Sequence, residues 1–315
     1  MSLPIPNPGL PTGISIVVPV YNSAEMLSEL AERLDRICSQ LGQKWELILV
    51  NDGSRDGSWS QICKLAQRAE VRGLNMMRNY GQHNALLAGI RSARYATIIT
   101  MDDDLQHPPE ELPRLLQAFR ENIDVLYGTP EQEQHGLWRD LASVVTKIVL
   151  QGGMGAETAR MVCAWRVFRT RLREGFASYD SPFVNIDVLL TWSTNRFAAE
   201  HVRHAPRARG QSNYTFQALF RHAMNMMTGF SVLPLQIASV VGFAFTMFGI
   251  GVLAFVLIRY LIAGSVVAGF PFLASIIAIF SGAQLFAIGI IGEYLARIHF
   301  RTMKKPAYTV AETAE

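Results

Sequence analysis

The chain has 315 residues, half of them hydrophobic and 17% charged, with a formal net charge of +3. That composition excludes intrinsic disorder, which needs low hydrophobicity and high net charge, and so small a positive surplus gives no argument for a nucleic-acid partner. The three cysteines, Cys38, Cys63 and Cys163, lie far apart with no C-x-x-C spacing, which excludes a disulfide scaffold and speaks against a zinc site of the usual sequence pattern.

At about 150 residues per domain, the length allows two structural units. Residues 1–13, MSLPIPNPGLPTG, carry no basic flank and no apolar run, so they read as a tail and not as a signal peptide. Ile14–Val18 predicts a strand and Ala24–Leu41 a helix. Trp45–Val50, Leu74–Met77, Ala96–Met101 and Ile123–Tyr127 predict further strands. Helices are expected near Ser58–Ala69, His83–Ala93 and Pro109–Arg120, with Pro109 suited to a first turn. Alternation of apolar strands with helices implies an α/β domain with a mainly parallel sheet. In such sheets ligands bind at the carboxyl ends of the strands. The polar motifs sit there: Tyr21-Asn22 after the first strand, Asn51-Asp52-Gly53-Ser54 after the second, Asp102-Asp103-Asp104 after the fourth.

Three consecutive aspartates at a buried strand end repel one another and lose hydration. A divalent cation relieves both costs, and Mg²⁺ takes one or two carboxylates plus phosphate oxygens. In an extended segment Asp102 and Asp104 point to one side and Asp103 to the other, which assigns Asp102 and Asp104 to a cofactor site. The plainer reading is a solvated acidic turn. Neither a P-loop nor a G-x-G-x-x-G fingerprint is present. His83, His107, His201, His204 and His222 show no metal-ligand spacing.

Between His222 and Glu293 the only formally charged residue is Arg259. Crossing about 30 Å of hydrocarbon takes about 20 apolar residues, and Leu235–Ile258 and Phe270–Ile291 meet that length. Arg221 before the first span and Arg297, Arg301, Lys304 and Lys305 after the second place both ends in the cytoplasm. Glycines 242, 249, 251, 282, 289 and 292 permit close helix packing, within or between chains. Residues after Tyr308 read as a disordered tail.

In order, Val17-Val18-Pro19-Val20-Tyr21-Asn22, Val50-Asn51-Asp52-Gly53-Ser54, Arg78-Asn79-Tyr80-Gly81-Gln82-His83 and Asp102-Asp103-Asp104-Leu105-Gln106-His107-Pro108-Pro109-Glu110 resemble the family 2 glycosyltransferases of GT-A fold. More narrowly they resemble the polyprenyl-phosphate glycosyltransferases: dolichol-phosphate mannose synthase and the undecaprenyl-phosphate glucosyl- and aminoarabinose-type transferases. Gly210-Gln211-Ser212-Asn213-Tyr214 and Gly292–Ile298 extend the resemblance over nearly the whole chain.

The resemblance implies a tail at 1–13, a cytoplasmic GT-A domain with interfacial helices at 14–220, two transmembrane helices within 221–300 and a cytoplasmic tail at 301–315. It implies a nucleotide site at Pro19, Tyr21, Asn22, Asn51, Asp52, Arg78, Gln82 and Asp103. Asp102 and Asp104 are the implied D-x-D pair holding Mg²⁺ or Mn²⁺, with Asp104 the more direct ligand and Gln106 beside the donor sugar. Arg207 and Ser212 are implied at the acceptor phosphate, with Arg166 and Arg169 as further cations. The implied reaction moves a sugar, with inversion, from a nucleotide diphosphate (a UDP-sugar) to undecaprenyl phosphate on the cytoplasmic face of the inner membrane. A homo-oligomer, a tetramer by resemblance, is also implied, with no nucleic-acid partner.

Residues 138–173, with Trp138, Val144–Leu150 and Arg160, Arg166, Arg169, Arg171 and Arg173, are expected to form basic amphipathic helices at the interface. The chain departs from the family pattern at Ser23, Asn51, Arg160 and Asn213. Two alternatives remain open. A processive polysaccharide synthase of the same superfamily carries a Q-x-x-R-W motif and more spans, neither found here. A catalytically inactive membrane adaptor of a glycan-export complex is the other.

Overall fold

A computed structural model describes residues 10–130, 156–204, 233–263 and 270–315. Its centre is an eight-stranded sheet. In chain order the elements are β1 (Ile14–Val20), α1 (Leu27–Gln40), β2 (Trp45–Asn51), α2 (Ser58–Leu65), β3 (Val71–Met76), α3 (Gln82–Ser92), β4 (Thr97–Thr100), α4 (Leu112–Ala118), β5 (Val125–Pro130), α5 (Ala156–Met161), β6 (Arg166–Arg169), α6 (Ile186–Thr191), β7 (Phe197–Val202), α7 (Leu233–Ala263), α8 (Phe270–Thr302) and β8 (Val310–Ala314). The strand order is β7-β5-β6-β4-β1-β2-β3-β8.

β1 is buried at every position, as a central parallel strand covered on both faces requires. Its Ile16, Val18 and Val20 pack with Leu27, Leu30, Ala31, Leu34 and Cys38 of α1, a helical stripe at three- and four-residue spacing. Val17 faces the other way, against Ala85–Ile90 of α3. That helix lies so close that a Cβ on Gly89 would collide with the Val17 side chain. Pro19 is tolerated in a central strand because the β1–β4 ladder ends at Val17↔Thr100, so no donor is needed from it on that side.

The parallel pairs β1–β2, β1–β4, β2–β3 and β5–β7 follow the expected alternation. Three antiparallel pairs, β4–β6, β5–β6 and β3–β8, were not expected from the sequence. β6 reads as a basic surface segment, yet Arg166 and Arg169 are 4% and 6% exposed. Asp187 neutralises the first at 2.6 Å and Asp124 the second at 3.1 Å. Arg171 also pairs with Asp124, and Arg173 donates to the carbonyl of Ala93 at 2.7 Å. Residues 166–173 are therefore a core strand and a short 3₁₀ segment, not a basic interfacial helix; of the rest of that expectation, α5 is the helix over Ala156–Met161, and 138–155 lie outside the described residues.

The chain after Tyr308 is ordered, contrary to the tail expected there. β8 pairs with the exposed edge of β3, where Asn75 donates to Glu312 at 2.8 Å. Arg72 and Arg94 hold Glu315 at 3.0 and 3.1 Å. Covering an edge strand also removes a template for aggregation. Deleting residues 309–315 is expected to cost about 2 kcal/mol, seen as a fall of roughly 4–8 °C in the thermal midpoint. An unchanged midpoint would show that β8 contributes nothing to the fold.

α7 and α8 have 31 and 33 residues. Within them Pro234–Arg259 and Ile279–Phe300 are long and apolar enough to cross a membrane, and neither is buried inside the protein. Phe280 of α8 packs against Phe245 and Phe248 of α7, with ring centroids 5.6 and 6.5 Å apart. Outward-facing residues such as Leu261 and Leu285, 81% and 69% exposed, form an apolar surface that water does not tolerate at this extent. α8 runs past the expected end at Ile291, and its last turns reach the α/β domain: Arg297 lies 4.4 Å over the Phe183 ring and Phe300 packs beside it.

Candidate active site

Four strand ends meet at the carboxyl edge of the sheet. Asn22, in the left-handed region at φ 55°, donates from its backbone N–H to Ser54 Oγ at 3.0 Å, and its Oδ1 accepts from Arg55 N–H at 2.8 Å. Asparagine is among the few residues that adopt this conformation readily. Gly53, at φ 66°, lies so near the backbone of Arg78 and Asn79 that a Cβ there would collide with it. The loops after β1, β2 and β3 are thus knitted together by backbone geometry.

Asp52 is 3% exposed, and its two carboxylate oxygens accept from Tyr80 N–H and Gly81 N–H at 2.7 and 2.8 Å. Burial pushes its pKa up, against those two hydrogen bonds and the charge of Arg78. The structure gives Asp52 the task of fixing the Arg78–Gly81 loop. Asn51 is buried beside it, donating to Asn75 Oδ1 at 2.7 Å and accepting from Ser54 N–H. Since Asn75 also holds Glu312, the carboxy-terminal strand is tied to the Asn51 position. Tyr21 is half exposed at the mouth, and exposed Arg78 stacks over Tyr80 at 4.1 Å.

The aspartates do not form the extended segment expected of them. They lie in a turn, and Leu105 follows at φ 57°. Each carboxylate has its own anchor: Gln82 Nε2 donates to Asp102 at 2.6 Å, Tyr21 N–H to Asp103 at 3.4 Å and Gln106 N–H to Asp104 at 3.1 Å. Burial raises the pKa of Asp103, opposed by bonds from Ser23 and Tyr21 and reinforced by Asp104. Asp103 is turned to the β1 loop, while Asp102 and Asp104 are set by α3 and by their own turn. Hard carboxylate oxygens held at a strand end suit Mg²⁺ or Mn²⁺.

Pro19, Tyr21, Asn22, Asn51, Asp52, Arg78, Gln82, Asp102, Asp103, Asp104 and Gln106 are therefore drawn to one edge. Arg166 and Arg169 are not available to an acceptor phosphate: both guanidiniums are consumed in buried ion pairs. Arg207 and Ser212 lie outside the described residues. Sequence reasoning missed the anchoring of Asp187 by Arg166 and Tyr127, 21 and 60 residues away, and the meeting of His107, Cys163 and His204, because each joins segments far apart in the chain with no local pattern.

The family profile described as glycosyl transferase family 2 matches residues 15–176. The chain belongs to that family. The transferase is 33% identical over 301 residues to the undecaprenyl-phosphate 4-deoxy-4-formamido-L-arabinose transferase of Pseudomonas aeruginosa, covering 94% of this chain and 89% of the relative. It is 34% identical to the protein of the same name from Proteus mirabilis, covering 94% and 92%. Among solved structures, glucosyl-3-phosphoglycerate synthase from Mycobacterium tuberculosis, in complex with Mn²⁺, UDP and glucosyl-3-phosphoglycerate, aligns with a TM-score of 0.50 at 14% identity, covering 70% of this chain and 78% of that one. A structure described as a mycobacterial protein aligns with a TM-score of 0.52 at 15% identity, covering 70% and 74%. These likenesses show a GT-A fold.

Proposed function

We propose that this glycosyltransferase moves a sugar from a nucleoside-diphosphate donor, a UDP-sugar, to a polyprenyl phosphate of the undecaprenyl type, inverting the anomeric centre. One observation carries the reading: the aspartate turn, through α3, and the membrane-length helix α8 are tied to the same loop. Phe183 touches Arg297 and Phe300 of α8. Its neighbour Pro182 accepts from Asn84 Nδ2 at 3.3 Å, two residues along α3 from the Gln82 that orients Asp102. A donor site so close to the lipid end of α8 suits an acceptor whose tail stays in the bilayer. The names of the relatives, matched along nearly their full length, support the same acceptor.

In this reading Tyr21, Asn51 and Arg78 receive the nucleotide, and Asp102 and Asp104 hold a divalent cation, which supplies positive charge against the departing diphosphate. Asp52 and Gln82 position the loops, and Gln106 stands beside the donor sugar. A phosphate monoester has a second pKa of about 6, so the acceptor is already largely dianionic at pH 7 and needs no general base. Asp103, occupied by the β1 loop, is not asked to be one. Arg207 and Ser212 are assigned to the acceptor phosphate. The chain divides into residues 14–220 as a cytoplasmic catalytic domain, 221–300 as an inner-membrane hairpin whose glycines suit association between copies, and 301–315 as a returning tail.

The test is turnover of the full chain in lipid nanodiscs containing undecaprenyl phosphate, with UDP- and GDP-sugars supplied in turn. Lipid-linked product and free UDP are expected only with acceptor and Mg²⁺ or Mn²⁺ both present. Product formed on a soluble acceptor alone would overturn the acceptor assignment.

A further inference from the structure

We propose that His107, Cys163 and His204 form a second cation site, for a borderline transition metal of the Zn²⁺ class, distinct from the carboxylate site beside it. The three residues come from the turn after the aspartates, the loop before β6 and the end of β7, and their donor atoms all lie within 4.8 Å of one another. His107 Nε2 is 4.0 Å from Cys163 Sγ, long for a hydrogen bond. The His107 and His204 rings meet edge-on at 78° with centroids 4.9 Å apart. Zinc bonds of about 2.3 Å to sulfur and about 2.0–2.1 Å to nitrogen put tetrahedral ligand atoms roughly 3.5 Å apart. Side-chain shifts of under about an ångström close that gap.

A second observation is the state of His107. The residue is 5% exposed, packed at 5.4 Å on the Trp165 ring, and its Nδ1 has no partner. Its Nε2, the nitrogen turned to Cys163, has only the 4.0 Å contact with Sγ; a polar ring so poorly satisfied in a buried place is costly, and a metal bond at Nε2 replaces that weak contact. Burial, then His204 and Arg166, hold its pKa down to about 3, so the ring is neutral and ready to ligate at pH 7. Burial raises the Cys163 thiol, so binding must displace its proton: one S–H bond breaks, one metal–sulfur bond forms, and one H⁺ is released per cation.

Ligand hardness separates the two sites. Carboxylates favour Mg²⁺ and Mn²⁺, whereas a thiolate with two imidazoles favours Zn²⁺. Three protein ligands leave a fourth position for water or an anionic oxygen. A cation there adds a further tie between the aspartate turn, the loop before β6 and the end of β7, beside the Arg203–Glu111 ion pair at 2.8 Å and the Thr100 hydroxyl bond to the Ala164 carbonyl at 3.1 Å.

The experiment uses the full chain in nanodiscs, stripped with chelator and titrated with Co²⁺ as the probe. A thiolate-to-cobalt charge-transfer band saturating at one equivalent is expected, with tetrahedral ligand-field absorption, release of one proton and displacement by Zn²⁺. Cys163→Ser should abolish the band, and His204→Gln should weaken binding roughly 100-fold or more. Asp104→Asn should leave the band intact, which keeps this result separate from the fate of the carboxylate site. Wild-type protein showing only weak octahedral absorption, or a band that survives Cys163→Ser, would overturn the proposal. The wild-type spectrum decides even where a variant fails to fold.

Discussion

Asp104→Asn is expected to lower sugar transfer by on the order of 10³-fold while the protein stays folded. The substitution is nearly isosteric, and the amide oxygen can still accept from Gln106 N–H, the 3.1 Å bond that shapes the turn. What disappears is one negative charge at a site proposed to hold a divalent cation against a diphosphate. Loss of one preorganised electrostatic group of this kind typically costs about 10²–10³ in turnover, and a metal ligand stands at the upper end. The loss should appear in kcat and in the metal concentration needed for half-maximal rate, with the thermal midpoint of the metal-free protein unmoved. Asp103→Ala should behave otherwise, because Asp103 accepts from Tyr21 N–H and alanine leaves that donor without its acceptor. Its defect should appear in donor KM, through a displaced β1 loop. A turnover within tenfold of wild type for Asp104→Asn would remove that residue from the site.

Much of this site was legible because its signals are local. An apolar run ending in Asn-Asp-Gly-Ser, or in three aspartates, marks a strand and the polar group at its end within one short window. The mainly parallel character of the sheet follows from that pattern, and the two long apolar helices follow from equally local runs; the strand order does not. What the sequence hid depends on partners far away in the chain. Arg166 and Arg169 look like surface cations until Asp187 and Asp124 are placed against them. Val310–Ala314 looks like a frayed end until the free edge of β3, with Arg72 beside it, supplies hydrogen bonds and charge. His107, Cys163 and His204 carry no shared spacing at all. The extended backbone expected at the aspartates failed for a different reason: the strand ends at Thr100, and the chain turns at Asp103.

Asp187→Ala is expected to destabilise the catalytic domain by about 3–5 kcal/mol, because it leaves a buried guanidinium without its counter-charge. Arg166 and Asp187 are 4% and 2% exposed. The pair is bidentate, with Nε to Oδ1 at 2.6 Å and Nη2 to Oδ2 at 2.8 Å. Tyr127 O–H donates to the same carboxylate at 3.0 Å, and Arg166 Nη1 donates to the Ala164 carbonyl at 2.9 Å. Burial works to raise the carboxyl pKa, but the charge and hydrogen bonds of Arg166 outweigh it, and the folded value lies below the ordinary one. A depressed carboxyl pKa contributes stability above the unfolded value of about 3.9 and loses it as pH falls through the folded one. The gap between wild type and Asp187→Ala should therefore be constant from pH 5 to 8 and shrink in stronger acid. Removing both charges at once, as Arg166→Met with Asp187→Leu, should recover a good part of the loss, since an apolar pair of similar volume often matches a buried ion pair. Because Arg166 reaches Thr100, the last residue of β4 before the aspartate turn, transfer activity should fall more in the double variant than its recovered stability implies. Thermal unfolding and turnover measured on the same preparations check both halves, and a loss below about 1 kcal/mol for Asp187→Ala would show that solvent reaches the pair.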